Sequence, residues 1–196
     1  MDIILFDTEF FSLSKKKTKL ELLKKYSNIL YPEILQLAAY KYKNFFFDNT
    51  PKILNLFFKT KQKIPIRIKN LTGINEKKIK NKGRYFNKNI SNFFKLINKK
   101  TIVCSNGNDF EIIKLNMKYN NTIKLNKSII FVDLKKIIGF MDMDKRYSKF
   151  KSVKIRSHNA LNDCLILKLS IDDFIMKNGK NVFIKKINRQ KKLIKL

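Results

Sequence analysis

Apolar residues in the first half of the chain occur mainly in short runs, a pattern typical of buried or half-buried strands. The run "DIILFD" (2–7) is bounded by acids and predicts a short buried strand. The runs "EILQLAAYKYK" (33–43) and "NFFFDN" (44–49) are consecutive, and we expect them to form a hairpin that turns around residues 43–44. A further run, "ILNLFFKT" (53–60), predicts another strand of the same sheet.

The segments between these runs have a different pattern. Residues 12–31 place leucine, isoleucine and tyrosine at helical spacing and are closed by Pro32, so they predict a helical excursion between two strands. Residues 61–85 contain a proline and two glycines. Because proline and glycine interrupt regular structure, we expect this second segment to be irregular.

In the second half of the chain, short strand patterns alternate with helical ones. Phenylalanine and isoleucine recur at helical spacing over residues 86–97 and predict an amphipathic helix. The β-branched runs at 101–105 and 128–133 predict strands that each lead into a helix, and the last helix should lie between His158 and about Met176. Hairpin strands followed by alternating strands and helices predict an α/β fold, with a mixed central sheet flanked by helices.

The length of 196 residues is enough for a single domain with a sizeable core. A hydrophobic content of 44%, including 17 phenylalanines, is typical of a globular protein and excludes a disordered chain. From Lys177 the sequence becomes lysine-rich, with one short apolar patch at 182–184. We therefore predict one domain over residues 1–176 and a basic C-terminal tail over residues 177–196.

The charge of the chain is strongly positive, with 44 Lys and Arg residues against 15 Asp and Glu and a net charge of +29. A field of this size attracts polyanions, and nucleic acid is the partner that it favours, through phosphate contacts and counterion release. Lysine, asparagine and isoleucine are also the residues that an AT-rich coding sequence favours. Composition alone therefore leaves open how much of the charge is functional.

Cysteine content and hydropathy bear on the location of the protein. Cys104 and Cys164 lie in apolar surroundings and form no disulfide framework, as in proteins of a reducing compartment. No apolar stretch approaches the roughly 18 residues of a membrane span, and no basic segment precedes an apolar one as in a signal peptide. We expect a cytoplasmic protein that does not bind membranes.

Two acids stand one residue apart near the start of the chain, in "LFDTEFFS" (5–12). Residues i and i+2 of a strand point to the same face, so Asp7 and Glu9 should project together. Two carboxylates at that distance repel each other unless a cation or a proton lies between them. The alternative is that Glu9 has already left the strand and is solvated.

Further acids follow strands or open helices later in the chain. Asp109 begins a predicted helix after the strand at 101–105, and Asp163 follows His158 by five residues. Five residues turn a helix by about 500°, so we expect His158 just ahead of the helix and Asp163 on it. The alternatives are a helix N-cap for Asp109, a surface acid for Asp163 and a loop residue for His158.

Carboxylates in this number suit hard divalent cations such as Mg²⁺ or Mn²⁺. Two such ions, roughly 3.5–4 Å apart, can clamp a phosphodiester, activating water on one side and stabilising the leaving oxygen on the other. The acids therefore favour phosphodiester chemistry, which agrees with the nucleic-acid partner that the charge favours.

These motifs, in this order, resemble those of the DEDDh 3′–5′ exonucleases. That family has a ribonuclease-H-like fold and includes proofreading exonucleases, ribonuclease T and oligoribonuclease. "FDTEF" is similar to its first motif, and "HNALND" is similar to its H-x4-D motif, whose His distinguishes this branch from the Tyr branch. "PEILQLAAYKY" and "IPIRIKNLTGINEKKI" are similar to the intervening segments, and "SNGNDFEII" supplies Asp109, or else Glu111, as the remaining acid.

The resemblance implies roles for particular residues. The metal ligands for two Mg²⁺ or Mn²⁺ ions would be the four acids, and His158 would be the general base that takes a proton from water. The reaction would be hydrolysis of the terminal phosphodiester at the 3′ end of a single strand, releasing nucleoside 5′-monophosphates. By this resemblance the ligands are Asp7, Glu9, Asp109 and Asp163, and the turn formed by Leu71, Thr72, Gly73 and Ile74 would line the pocket for the last base. Phe10 and Phe11 directly follow the first acids, and either could support that base or fill the core; we favour Phe10 for the base.

Three readings of the function remain open at this point. The first is an active exonuclease on single-stranded DNA or RNA, without a way to choose between the two. The second is a nucleic-acid-binding module that has the fold and is catalytically inactive, which the large basic charge also suits. The third is a subunit that acts only with a polymerase or another partner. The oligomeric state is also open, and a homodimer is possible because several relatives are dimers.

Overall fold

The computed structural model describes residues 1–11, 32–47, 50–122, 128–139, 143–150 and 157–195. The predicted helical excursion at 12–31 lies outside the described residues. No helix within these ranges is both long enough and apolar enough to cross a membrane.

In the described part of the chain, seven strands form one sheet in the order β4-β3-β2-β1-β5-β6-β7. β1 lies near the middle of the sheet, antiparallel to β2 and parallel to β5, and the sheet is therefore mixed, as predicted. The strands are β1 (Ile3–Phe10), β2 (Ile34–Tyr42), β3 (Lys52–Phe58), β4 (Gly83–Arg84), β5 (Ile102–Ser105), β6 (Ser128–Asp133) and β7 (Lys192–Lys195).

Helices cover both faces of this sheet and pack against its apolar side chains. The longest described helix, α8, packs against β1 and β2. The helices are α1 (Ile66–Thr72), α2 (Glu76–Lys82), α3 (Phe86–Asn89), α4 (Ser91–Lys95), α5 (Asp109–Tyr119), α6 (Lys135–Ile138), α7 (Met143–Lys149), α8 (Ala160–Asn178) and α9 (Lys180–Gln190).

Side-chain alternation along β1 determines which helix each residue meets. Ile4 and Phe6 point to one face, where Phe6 packs against Phe110 of α5, with ring centroids 6.3 Å apart. Ile3 and Leu5 point to the opposite face, into the cluster that contains buried residues of α8 and α9. Because the alternation continues along the strand, the acids at positions 7 and 9 share the α8 face.

Two expectations about the first half of the chain are wrong. β2 pairs with β3 at 52–58, and residues 43–47 form bends and a turn instead of a second strand. Residues 61–85 are not irregular, because they contain α1, α2 and the short β4. Ile68 of α1 and Ile79 of α2 are buried with Phe11, Leu35 and Phe57 in a separate small core, and this long-range packing outweighs the local effect of proline and glycine.

The pattern over residues 86–97 forms two short helices, α3 and α4, on either side of Ile90. The C-terminal segment, predicted as a basic tail over residues 177–196, contains α9 and β7. Phe183 and Ile187 of α9 are fully buried, and β7 pairs antiparallel with β6. α9 and β7 therefore pack against the rest of the described fold. The lysine-rich composition of this segment reflects the exposed positions of an amphipathic helix and an edge strand.

Candidate active site

A cavity of about 440 Å³ opens at the carboxyl end of β1. β1, β5 and α8 bring its polar residues together from distant parts of the sequence. Its lining includes Asp7, Thr8, Glu9, Phe10, Ile68, Leu71, Thr72, Asn106, Asn108, Asp109, Lys135, His158 and Asp163. All five residues expected to carry the chemistry therefore meet in one place.

Three carboxylates form the centre of the cavity. One oxygen each from Asp7, Glu9 and Asp163 lies within 4.8 Å of the others, and all three residues are buried. β1 extends through Phe10, and Glu9 is paired with Gln36 of β2, so Glu9 has not left the strand. Asp163 is in the first turns of α8 and reaches the cluster from the helix that packs over this face of β1.

Asp109 reaches the same cavity from the other face of β1. It is the first residue of α5, and its Oδ1 accepts hydrogen bonds from the hydroxyl of Thr8 at 2.7 Å and from the Thr8 backbone N–H at 3.2 Å. Glu111 is exposed and pairs with Lys114 at 3.4 Å. Two residues turn a helix by about 200°, which directs Glu111 away from the cavity and favours Asp109 as the acid of this motif.

Burial and mutual repulsion raise the pKa values of the clustered acids. Burial, followed by the charges of the neighbouring carboxylates, raises the pKa of Asp7 well above its usual range. The same causes raise the pKa of Glu9 to about 8. Burial also raises the pKa of Asp109, but the hydrogen bonds from Thr8 oppose that shift.

The donor set fits a divalent metal. The oxygens are carboxylate oxygens, which Mg²⁺ and Mn²⁺ prefer, and their spacing allows more than one of them to bind the same ion. A bound cation would also relieve the repulsion that raises the pKa values of Asp7 and Glu9. These three acids, with Asp109 beside them, are the residues that could hold metal.

His158 lies just ahead of α8, as its spacing from Asp163 predicts. Its backbone is in the left-handed region, with φ of 54°, which is uncommon for a residue other than glycine. The next residue, Asn159, caps the helix by accepting a hydrogen bond from the backbone N–H of Leu161. His158 is half-buried and lines the same cavity as the acids.

The residues expected to hold the last base separate into two groups. Phe10, Leu71 and Thr72 line the cavity. Gly73 and Ile74 are not among its lining residues. Gly73 ends α1 in a left-handed conformation, with φ of 69°, and Ile74 is fully buried in the small core beneath α1 and α2.

Several residues that line the cavity or contact its acids were not predicted from the sequence. The hydroxyl of Tyr147, on α7, donates a hydrogen bond to Asp163 Oδ1 at 2.6 Å, and burial raises the pKa of this phenol, which keeps it protonated. Ile68, Asn106, Asn108 and Lys135 add apolar and polar lining. Tyr147 stands in a lysine-rich segment without a motif, so only the packing of α7 against α8 reveals its contact.

Comparison with known proteins agrees with this geometry. The model of an exonuclease family, RNase_T, matches residues 4–169, which include every acid of the cavity and His158. No curated protein sequence matches the chain. The resemblance drawn from the motifs is thus confirmed at the level of the family.

Solved nuclease structures share the fold at low sequence identity. The nuclease domain of 3′hExo, a DEDDh family member bound to rAMP, is 12% identical with a TM-score of 0.67, over 91% of this chain and 94% of that one. S. pombe Pop2p in its Mg²⁺- and Mn²⁺-bound form is 13% identical with a TM-score of 0.62, over 90% and 83%. E. coli Exonuclease I with a dA16 oligonucleotide is 13% identical with a TM-score of 0.65, over 94% and 42%. The ribonuclease-H-like α/β fold is confirmed.

Proposed function

Because the chain belongs to the RNase_T exonuclease family, we propose that it is a metal-dependent 3′–5′ exonuclease acting on single-stranded DNA or RNA. The products are nucleoside 5′-monophosphates. The observation that carries the proposal is the cluster of three buried carboxylates within 4.8 Å, with Asp109 and His158 in the same cavity. No other arrangement in the described residues combines metal ligands with a candidate base.

The proposed metal ligands are Asp7, Glu9, Asp109 and Asp163, which would hold two Mg²⁺ or Mn²⁺ ions. When bound, the ions would polarise the scissile phosphodiester and lower the pKa of a bound water. Thr8 and Tyr147 each donate a hydrogen bond to one of these carboxylates and orient it. Pop2p, which shares the fold, has a Mg²⁺- and Mn²⁺-bound form, which supports this choice of ions.

The proposed role of His158 is to take the proton of the attacking water. His158 lines the cavity that also contains the carboxylates, and it is half-buried in a short loop ahead of α8. An imidazole in that position can accept a proton from water and return it to solvent. The net charge of +29 attracts a polyanionic substrate and raises its concentration near the protein.

The terminal nucleotide is proposed to bind against the apolar wall of the cavity. Phe10, Ile68 and Leu71 form that wall, and an aromatic or aliphatic surface can stack against any base. The hydroxyl of Thr72 already donates to the backbone carbonyl of Ile68, so this residue supports the wall. The 3′hExo domain bound to rAMP and Exonuclease I bound to dA16 share the fold, and these nucleotide ligands support the assignment.

The test is a gel assay with 5′-labelled single-stranded DNA and RNA of equal sequence. Wild type and Asp7→Ala are each incubated with Mn²⁺ and with chelator. The expected result is a metal-dependent ladder that shortens from the 3′ end and is absent for Asp7→Ala, and the faster substrate names the preferred nucleic acid. Retarded but intact oligonucleotide in every wild-type lane would instead identify a catalytically inactive nucleic-acid-binding module.

A further inference from the structure

A second cavity, of about 480 Å³, opens at the same edge of the sheet as the acids. β1 ends at this edge, β2 begins there, and β3 ends there, because the three strands are successively antiparallel. We call this cavity the tyrosine groove. It lies beyond the end of β3, and its lining includes Lys59, Lys61, Tyr85, Asn87, Tyr119 and Asn121.

Two tyrosine rings are exposed at the tyrosine groove. The exposed fraction of Tyr85 is 58% and that of Tyr119 is 41%, which is unusual for large aromatic residues in a chain that buries most of its phenylalanines. The ammonium of Lys59 lies 4.6 Å from the centre of the Tyr85 ring, and that of Lys118 lies 5.9 Å from the Tyr119 ring. Exposed rings beside lysines are the combination that binds single strands without sequence preference.

The floor of the groove is held in place by hydrogen bonds. Asn116 of α5 accepts from the backbone N–H of Ile34 at 3.1 Å and donates to the carbonyl of Pro32 at 2.8 Å. The one acid among the lining residues, Glu33, is buried and accepts a hydrogen bond from the Thr60 hydroxyl. The solvent-facing lining is therefore lysine, asparagine and tyrosine, on a floor that is already formed.

Helix α5 connects the two cavities. Its first residue, Asp109, lies among the acids, and its last residue, Tyr119, lines the tyrosine groove. At 1.5 Å per residue, ten residues of helix separate these positions by about 15 Å, a distance that a few nucleotides of extended single strand can span. The groove is thus placed for a segment whose 3′ end is at the acids.

We propose that the tyrosine groove binds the substrate strand upstream of its 3′ end, with bases stacked on Tyr85 and Tyr119 and phosphates paired with Lys59 and Lys61. This inference rests on the proposed function, because it assigns the strand's 3′ end to the acids. The groove would not take part in the chemistry. It would hold long strands on the enzyme between successive cleavages, and substrates too short to reach it would gain nothing from it.

The test compares a dinucleotide with a dodecanucleotide as substrates in the presence of Mn²⁺. The variants are the double substitution Tyr85→Ala with Tyr119→Ala, the ring-retaining double Phe substitution, and Phe47→Ala, a matched control that removes a ring 74% exposed outside the groove. Base stacking is worth enough for KM of the dodecanucleotide to rise about tenfold or more in the double Ala variant. The kcat value, and KM for the dinucleotide, should not change, and the Phe and Phe47→Ala variants should behave as wild type.

An equal KM for the dodecanucleotide in wild type and the double Ala variant would overturn the proposal. So would an equal loss on the dinucleotide, because the effect would then arise at the acids. Fluorescence anisotropy with labelled dodecanucleotide in chelator measures binding without hydrolysis, and a Kd raised by the same factor supports the groove. If wild type hydrolyses neither substrate, the proposed function fails, and the anisotropy result alone still decides whether the groove binds single strands.

Lysine substitution provides an independent readout of the same surface. Lys59→Gln and Lys61→Gln should each reduce the slope of log K against log salt concentration by about 0.7 for a single strand. Lys100→Gln, at an exposed lysine beside a different cavity, serves as the control. A slope reduced no more by the groove lysines than by Lys100→Gln would show that the phosphates do not bind there and would overturn that part of the proposal.

Discussion

The acids on the two sides of β1 have different surroundings. On one face, Asp7 and Glu9 lie beside Asp163, and burial together with the neighbouring negative charges raises the pKa values of both β1 acids. On the other face, Asp109 accepts two hydrogen bonds from Thr8, and these oppose the effect of burial on its pKa. Thr8 thus supplies two donors to Asp109, whereas Asp7 and Glu9 lie beside other negative charges, which favours the binding of a cation there.

This difference indicates that the acids contribute to metal binding in two ways. A carboxylate that protein donors already hold in place can contribute a fixed ligand oxygen. Carboxylates that repel one another bind a cation more strongly, because the cation removes a cost that the metal-free protein bears.

The strongest test removes one acid of the cluster. Asp7→Asn should lower kcat on a labelled oligonucleotide by roughly 1,000-fold or more, because metal-based stabilisation of the transition state is worth several kcal/mol. The same substitution should raise the melting temperature of the metal-free protein, since it removes repulsion among buried carboxylates. Activity and stability would thus change in opposite directions.

Glu111→Gln is the matched control for Asp7→Asn, because this acid lies on α5 close to Asp109 but is exposed and paired with Lys114. Its activity should stay within about twofold of wild type. Wild-type activity in Asp7→Asn, or an equal loss in Glu111→Gln, would contradict the assignment of the cluster.

The second test removes hydrogen-bond support from the other face of β1. Thr8→Val deletes the hydroxyl that donates to Asp109 at 2.7 Å and should raise the metal concentration for half-maximal activity by about 10- to 100-fold. Thr8→Ser retains the hydroxyl and should recover most of the affinity. Equal metal titrations for Thr8→Val and wild type would mean that Asp109 needs no orienting donor.

The third test concerns Tyr147, whose contact with Asp163 is only partly buried. Tyr147→Phe should raise the metal concentration for half-maximal activity by about tenfold, with a smaller change in kcat, because the carboxylate loses one orienting hydrogen bond. The Phe ring preserves packing, so a melting temperature close to that of wild type is the control. A change in kcat alone would instead point to contact with the reacting groups.

The fourth test uses the pH dependence of stability. Burial and neighbouring charges raise the pKa of Glu9 from 4.5 to about 8 in the folded protein. Below about pH 4.5 the group is protonated in both the folded and the unfolded chain, so the shift does not affect stability. As pH rises toward 8, the unfolded chain releases this proton more readily than the folded protein, and the fold is increasingly destabilised. Mg²⁺ should therefore raise the melting temperature more at pH 8 than at pH 5. In Glu9→Gln, the metal-free protein should lose less stability over this interval. An equal Mg²⁺ shift at both pH values would argue against a proton-linked metal site.

Much of the candidate site could be predicted from local sequence patterns. Strand alternation places Asp7 and Glu9 on one face, and the spacing of His158 and Asp163 places the imidazole ahead of α8 and the acid on it. These predictions depend on bond geometry within a few residues, which does not change with the rest of the fold. The choice between Asp109 and Glu111 remained open because it depends on which side of α5 faces β1.

Other features could not be predicted, because they depend on segments far apart in sequence. Tyr147 contacts Asp163 only because α7 packs against α8, and Ile74 enters the small core, leaving the cavity wall to Phe10, Ile68 and Leu71. The same holds for the tyrosine groove, where Tyr85 and Tyr119 meet through the arrangement of β3, α3 and α5. No local pattern distinguishes these tyrosines from ordinary surface residues.

Local patterns and composition were therefore sufficient to predict the α/β character of the chain, the acids of the site, the position of His158 and the strongly basic charge. Contacts between distant segments determine that β2 pairs with β3, that residues 180–195 complete the sheet and its core, and which side chains complete the cavity wall. Local periodicity indicates which side chains of one segment lie on the same face of a helix or strand. Pairing and packing depend on the free energy of burying surfaces from separate segments together, which no single segment specifies.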